Sequence, residues 1–266
     1  MVFVAGLPGT GKSLLVHQLA HLAARAGRHV HLLQWDNARP VFEASPTGQR
    51  YPLDNGVTHP MVRKAAGLWV RQAIVDWNDR NPGPRHLLIG ETPFVGNRFV
   101  ELARRLTDDA ETLLTTASCR FAIAVPSAEV RRFLEDERAR RAENPLHPRE
   151  REDAPPHVLQ DLWRELFELG KRLGIAPGAA TAGAGPPYDP SVYQRVFEKL
   201  LARRNVEVVP LRVILPTSAL SVYDYATALP DLVPTSAEAD TFIREAERRY
   251  SVPAVLQNDV AEWWKE

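Results

Sequence analysis

Val2-Phe-Val-Ala-Gly-Leu-Pro-Gly-Thr-Gly-Lys-Ser13 passes from a short apolar run, through a turn with three glycines, to a lysine and a serine. Val2–Ala5 has the β-branched, apolar composition of a short buried strand. Beyond the turn, Leu15, Leu19, Leu22 and Ala26 recur at helical spacing and Gly27 supplies a stop, so the pattern predicts a helix over 12–26. The turn between them, Gly6–Ser13, satisfies G-x-x-x-x-G-K-[ST] in the required strand-to-helix context. Gly6, Gly9 and Gly11 reach backbone conformations closed to residues with a Cβ and let the main chain approach a ligand closely. The stretch Gly6, Leu7, Pro8, Gly9, Thr10, Gly11, Lys12, Ser13 and Leu14 is therefore the expected phosphate cradle. Its successive N–H groups form an anion nest backed by the positive end of the helix. Lys12 adds a mobile positive charge for the terminal phosphates, and the Ser13 hydroxyl is placed to ligate Mg²⁺.

Outward from this turn, strand and helix alternate, which argues for an α/β fold with a parallel sheet covered on both faces. The pattern predicts further strands over His29–Gln34, His86–Ile89, Cys119–Val125 and Val206–Leu215. Helices are predicted over Met61–Asn78, Arg98–Leu106, Ala128–Asn144, Val158–Leu173, Ser191–Arg203 and Ala237–Tyr250, with a loop-rich stretch up to Pro60. Residues 176–190 are rich in Ala, Gly and Pro and read as a flexible loop. One domain over 1–266 is expected, with a lid at about 128–153. Lysine plus arginine equals aspartate plus glutamate at 33 each, so the basic excess of a nucleic-acid binder is absent and no nucleic-acid partner is expected. The single cysteine, Cys119, has no internal partner and reads as a buried strand residue. No apolar run approaches the ~20 residues of a membrane span, and the N-terminus lacks the charged region of a signal peptide. A cytoplasmic location with no membrane partner is the expectation.

The eight residues Gly6–Ser13 resemble the phosphate loop of the P-loop NTPase superfamily, which implies ATP and Mg²⁺ as cofactors. The Asn-Lys-x-Asp base reader of guanine-nucleotide switches does not occur here, and no apolar run ends in the Asp or Asp-Glu usual in motor-type ATPases. The segment Leu33-Gln-Trp-Asp-Asn-Ala-Arg39 resembles the corresponding stretch of zeta-toxin-like, gluconate-type and antibiotic-phosphorylating P-loop kinases. There an acidic residue binds or activates the acceptor hydroxyl, and the resemblance gives that role to Asp36, at the ligand-facing end of the second strand. Glu91, in Leu87-Leu-Ile-Gly-Glu-Thr-Pro93, is placed to hold Mg²⁺ through water or to contact the acceptor. Arg98 follows the same strand end and suits an anionic substrate group. Glu129–Glu143 comes where nucleoside and nucleotide kinases place their lid. Arg131, Arg138 and Arg141 share one helical face there, and Arg138 and Arg141 are the two expected to reach phosphate.

The resemblance thus implies a doubly wound, five-stranded P-loop kinase fold with order 2-3-1-4-5 and a helical lid. Lys12, Asp36, Glu91, Arg138 and Arg141 form the catalytic set, and the acceptor is a small molecule offering a hydroxyl or a phosphate. Phe42 to Pro60 and the helix after it would receive that acceptor, and Pro216-Thr-Ser-Ala-Leu220 would lie near adenine. Plainer readings stand beside these. Asp36 also suits a helix N-cap, Glu91 a solvated strand end, and the charged helix an i,i+4 salt-bridged surface. An ATPase without an acceptor and a non-catalytic nucleotide sensor remain the competing functions. His17 and His21 lie at zinc-binding spacing, but on a helix committed to the glycine turn. Trp263-Trp264 suits docking on the body or on a partner chain.

Overall fold

The computed structural model describes residues 1–54, 56–177, 185–215, 220–225 and 229–265. Strands β1 (Val2–Ala5), β2 (His29–Leu33), β3 (His86–Thr92), β4 (Arg120–Pro126) and β5 (Val206–Leu211) form one all-parallel sheet in the order β2-β3-β1-β4-β5. Val4 of β1 registers with Glu91 on one side and with Ala122 on the other. Pairing runs outward from β3 to β2 and from β4 to β5. The chain leaves β1 toward one edge and β4 toward the other, so the turn after β1 opens at the switch point of the sheet, where open α/β folds bind ligands.

Period-2 alternation sorts the strand side chains between two layers. Val4, Val30, Leu32, Ile89 and Ala124 face α1 (Lys12–Arg25), which buries Val16 and Ala20 against them. Phe3, Ala5, Leu33, Leu88, Phe121 and Ile123 point the other way, into the larger core. That core is closed chiefly by α3 (Pro60–Arg80), α6 (Pro156–Arg172) and α7 (Pro190–Leu200). Local chemistry explains several starts. His59 accepts from the Met61 amide ahead of Pro60, Ser127 caps α5 (Ala128–Glu143), and Asp189 caps α7. α8 (Ser236–Arg249) opens on a reciprocal Thr235–Glu238 capping box.

Several elements depart from the sequence expectations. Trp35–Ala44 is a helix, α2, where a strand end and a loop are expected. Pro40 lies inside it, yet Trp35, Ala38 and Phe42 bury one stripe. Arg98 does not open a helix. Phe94, Asn97 and Phe99 adopt left-handed backbone angles, and only a short 3₁₀ turn, Val100–Leu102, follows. α4 (Asp109–Thr115) and α9 (Pro253–Ala261) were not predicted, and β5 stops at Leu211 rather than Leu215. Trp263 docks into the main core, which settles one side of the question about the C-terminal tryptophans. Of the 176–190 loop, residues 178–184 lie outside the described residues, as do 216–219 of the segment expected near adenine. Cys119 is buried and unpaired just ahead of β4, and burial pushes its thiol up to about 11. Among the described residues, no helix is long and apolar enough to cross a membrane.

Candidate functional site

The glycine turn is held from behind by three helices. The Leu7 amide donates to Tyr193 Oη of α7 at 2.9 Å. The Leu7 carbonyl accepts from Thr10 Oγ1 at 2.7 Å and from Lys12 Nζ at 3.0 Å. Leu7 therefore frames the turn rather than facing its mouth. Burial pushes the Tyr193 hydroxyl up to about 12, against the opposing effect of its hydrogen bonds with Leu7 and Thr10. Leu159 of α6 presses on Gly9, where an added Cβ would lie 2.7 Å from Leu159 Cδ1 on a backbone at φ +69°. From α5, the buried Arg131 bonds the Leu159 carbonyl at 3.0 Å and approaches the Pro8 carbonyl at 3.5 Å. Its guanidinium also lies over the Tyr188 ring at 5.7 Å and pairs with Glu135 at 2.6 Å.

At the mouth of the turn, Gly11 caps α1 at φ +82°, and the first amide bonded back along the helix is that of Leu15, onto the Gly11 carbonyl at 3.1 Å. The amides of Lys12, Ser13 and Leu14 precede that ladder, with the helix dipole behind them. Such an arrangement can receive a polyanion.

Charge gathers around Lys12, which is 6% exposed. Burial pulls its ammonium below the usual lysine range, while Glu91 and Asp36 act to restore it and Arg98 and Arg138 act against it. Glu91, at the end of β3, is itself buried, and desolvation raises its carboxyl; Lys12, Arg98 and the Trp35 amide at the start of α2 favour its ionised form. Four sequence-predicted residues thus act on Lys12 through their charges, Glu91 and Asp36 favouring its ammonium form and Arg98 and Arg138 opposing it. Asp36 sits in the first turn of α2, exposed, not on a strand end. The N-cap expected of it in the plainer reading is Gln34 instead, and the charge of Asp36 acts on Lys12, Glu91 and Arg98. Ser13 is exposed in the first turn of α1. Thr92, beside Glu91, is fully buried with no partner for its hydroxyl among the described residues.

The lid arginines divide. Arg138 pairs with Asp153, and its charge reaches Lys12. Arg141 turns the other way, into contacts with Glu137 and Glu150 at 3.5 and 3.8 Å, and is buried. Glu150 extends this link to Ser221 at 2.7 Å, and Asp153 accepts from Tyr223 Oη at 2.7 Å. The residues that sequence reasoning passed over as site members are Arg131 and Tyr193. Arg131 alone carried a signal, by sharing its face with Arg138.

Among the described residues, no group of three or more His, Cys, Asp or Glu side chains can hold a metal. Mg²⁺ carried on phosphates asks less, since it keeps several waters and takes one or two protein oxygens. One accessible hydroxyl at Ser13 and one carboxylate at Glu91 fit that donor set. No protein-family model matches the chain, and no curated protein shows significant similarity to it.

Proposed function

We propose that this protein is a Mg·ATP-dependent phosphotransferase of the P-loop kinase type, moving a phosphoryl group to a hydroxyl or phosphate of a small acceptor. One observation carries the reading: the charges of two carboxylates and two arginines, from β3, α2, the turn after β3 and α5, all act on the lysine that closes the glycine turn. A nest of amides alone suits any anion. Adding acids for an acceptor and cations for a transferring phosphoryl group suits transfer.

In this mechanism the Gly9–Leu14 backbone holds the β- and γ-phosphates, and Lys12 swings from the Leu7 carbonyl onto their oxygens. Asp36 accepts the proton of the acceptor hydroxyl as its oxygen forms a bond to the γ-phosphorus. The bond from that phosphorus to the β,γ-bridging oxygen breaks, and its electron pair leaves with ADP. Arg138 neutralises charge on the equatorial oxygens, and Ser13 and Glu91 would hold Mg²⁺. Held there, the ion would supply positive charge that offsets the negative charge of the phosphates. The test is ADP release with Mg·ATP, alone and with a panel of nucleosides, sugars, sugar nucleotides and aminoglycosides, with products identified by mass. Acceptor-dependent ADP and an equimolar phosphorylated product are expected. A basal rate indifferent to every acceptor favours an ATPase, and tight nucleotide binding without turnover favours a sensor.

A further inference from the structure

The arginines of this protein that are withdrawn from water are, as a rule, paired. Arg71 meets Asp108 at 2.5 Å, Arg131 meets Glu135 at 2.6 Å, and Arg204 meets Glu111 at 2.7 Å. Arg63 and Arg98 break the rule: both are largely shielded from water, and neither enters an ion pair among the described residues. Arg63 donates from Nη1 to the Gly96 carbonyl at 2.5 Å, and its buried Nε has no partner. The Arg98 guanidinium makes no hydrogen bond among the described residues and lies close to the same glycine, with Nε 3.8 Å from where a Gly96 Cβ would stand. The two cations also act on each other, each lowered first by burial, and Arg63 further by the neighbouring charge of Arg98. A fold has no use for two adjacent unpaired guanidinium groups; packing alone is better served by apolar side chains.

The turn that carries Arg98 is built to hold it still. Phe94, Asn97 and Phe99 sit at φ 58°, 59° and 57°, a cluster of strained residues of the kind that marks ligand sites. Reciprocal bonds close the turn, from the Phe94 amide to the Arg98 carbonyl at 3.1 Å and from the Arg98 amide to the Phe94 carbonyl at 3.2 Å. Phe94 and Phe99 are fully buried, and Asn97 is tied to the Val260 carbonyl at 3.1 Å. Arg98 thus faces two ways: its charge meets Asp36 and Glu91 toward Lys12, and Glu165 on the rim of α6 toward Arg63.

We propose that the acceptor carries an oxyanion, a carboxylate or a phosphate, which Arg63 and Arg98 grip together while its reacting group lies toward Asp36. This rests on the phosphotransferase reading above. Arginine forks bind either oxyanion bidentately, so the two chemistries share one site. Glu165 and Asp54 act on Arg63, and Asp36, Glu91 and Glu165 on Arg98, yet none forms an ion pair with either among the described residues, so both guanidinium groups keep donors for an oxyanion rather than for a neutral sugar or nucleoside.

The test uses the full chain saturated with Mg²⁺ and a non-hydrolysable ATP analogue, so that the glycine turn is already filled. Inorganic phosphate, acetate and glycerol are titrated by thermal shift against chloride at matched ionic strength. A saturable shift is expected from phosphate or acetate and none from glycerol, and the better anion names the acceptor's group. Arg63→Met and Arg98→Met should each weaken that response at least about tenfold, the scale of one charge-assisted bond. Affinity of Arg63→Met for the analogue should stay within about twofold, which also reports that this variant is folded, and far-UV circular dichroism reports the same for Arg98→Met. Arg98→Lys, which keeps the charge and loses the fork, should fall between. No anion exceeding chloride, or arginine variants responding as the wild type does, overturns the proposal. Failure of the analogue itself to bind is a different result, and it sinks the phosphotransferase reading instead.

Discussion

Gly9→Ala should damage both the stability of the protein and the grip of its glycine turn, and Leu159 should be the reason for much of the damage. The added Cβ meets Leu159 Cδ1 at 2.7 Å and Cδ2 at 3.0 Å, and the backbone there sits at φ +69°. Left-handed backbone costs an L-residue about 1–2 kcal/mol. Overpacking against a side chain that is itself fully buried adds about 1–3 kcal/mol. Gly9→Ala should therefore destabilise by roughly 2–5 kcal/mol. Leu159→Ala, which empties a buried leucine site, should cost about 2–5 kcal/mol by itself. In the double variant the clash is gone and only the backbone term of Gly9→Ala remains. The two costs should then fall short of additivity by about 1–3 kcal/mol. Equilibrium urea unfolding of the four proteins measures the cycle, and titration with a non-hydrolysable ATP analogue follows the turn itself. Leu159→Ala should return part of the analogue affinity that Gly9→Ala removes. Costs that add to within about 0.5 kcal/mol would show that α6 does not brace the turn, and the reasoning would fail.

Other perturbations separate the site from its scaffold. Asp36→Asn should lower turnover by about 10²–10⁴-fold while analogue affinity holds; unchanged turnover in steady-state assays would remove Asp36 from the chemistry. Arg138→Ala should cost turnover about 10²-fold or more. Arg141→Ala should instead lower the unfolding midpoint and leave turnover per folded molecule nearly intact, and equal turnover losses would refute this division of the lid. Glu111 gives the pH test. Burial alone would raise its carboxyl, but hydrogen bonds from Arg204 and Arg71 outweigh that and hold it at about 2, against 4.5 for a free glutamate. The folded value is depressed, so the stabilisation is present above about pH 4.5 and lost as pH falls toward about 2. Discounted for solvent screening, it is worth on the order of 1–2 kcal/mol. Unfolding free energies of wild type and Glu111→Gln from urea titration should differ by that amount at neutral pH and converge in acid; a gap constant with pH would contradict the assignment.

The sheet was legible because each strand is a short apolar run bounded by turn residues, and because the glycine turn orients the first strand and helix. What escaped did so for physical reasons. Pro40 masks α2, although the buried stripe of Trp35, Ala38 and Phe42 overrides it. The turn from Pro93 to Phe99 reads as helix-compatible in composition, and only its packing, with two buried phenylalanines in left-handed conformations, prevents a helix. The helical face of the lid grouped Arg131, Arg138 and Arg141, but a shared face does not say which guanidinium a distant carboxylate will capture. Glu150 takes Arg141, Asp153 takes Arg138, and Arg131 alone folds under the glycine turn. Tyr193 and Arg63 carry no local signal, because their partners at Leu7 and Gly96 lie far away in sequence.

Isothermal titration of the full chain with Mg²⁺ and a non-hydrolysable ATP analogue tests the central claim most directly. One site per chain is expected, with affinity at least about 10²-fold weaker in Lys12→Ala, which takes an ammonium group away from the phosphate oxygens. No heat of binding in the wild type, or binding that Lys12→Ala leaves unchanged, would contradict it.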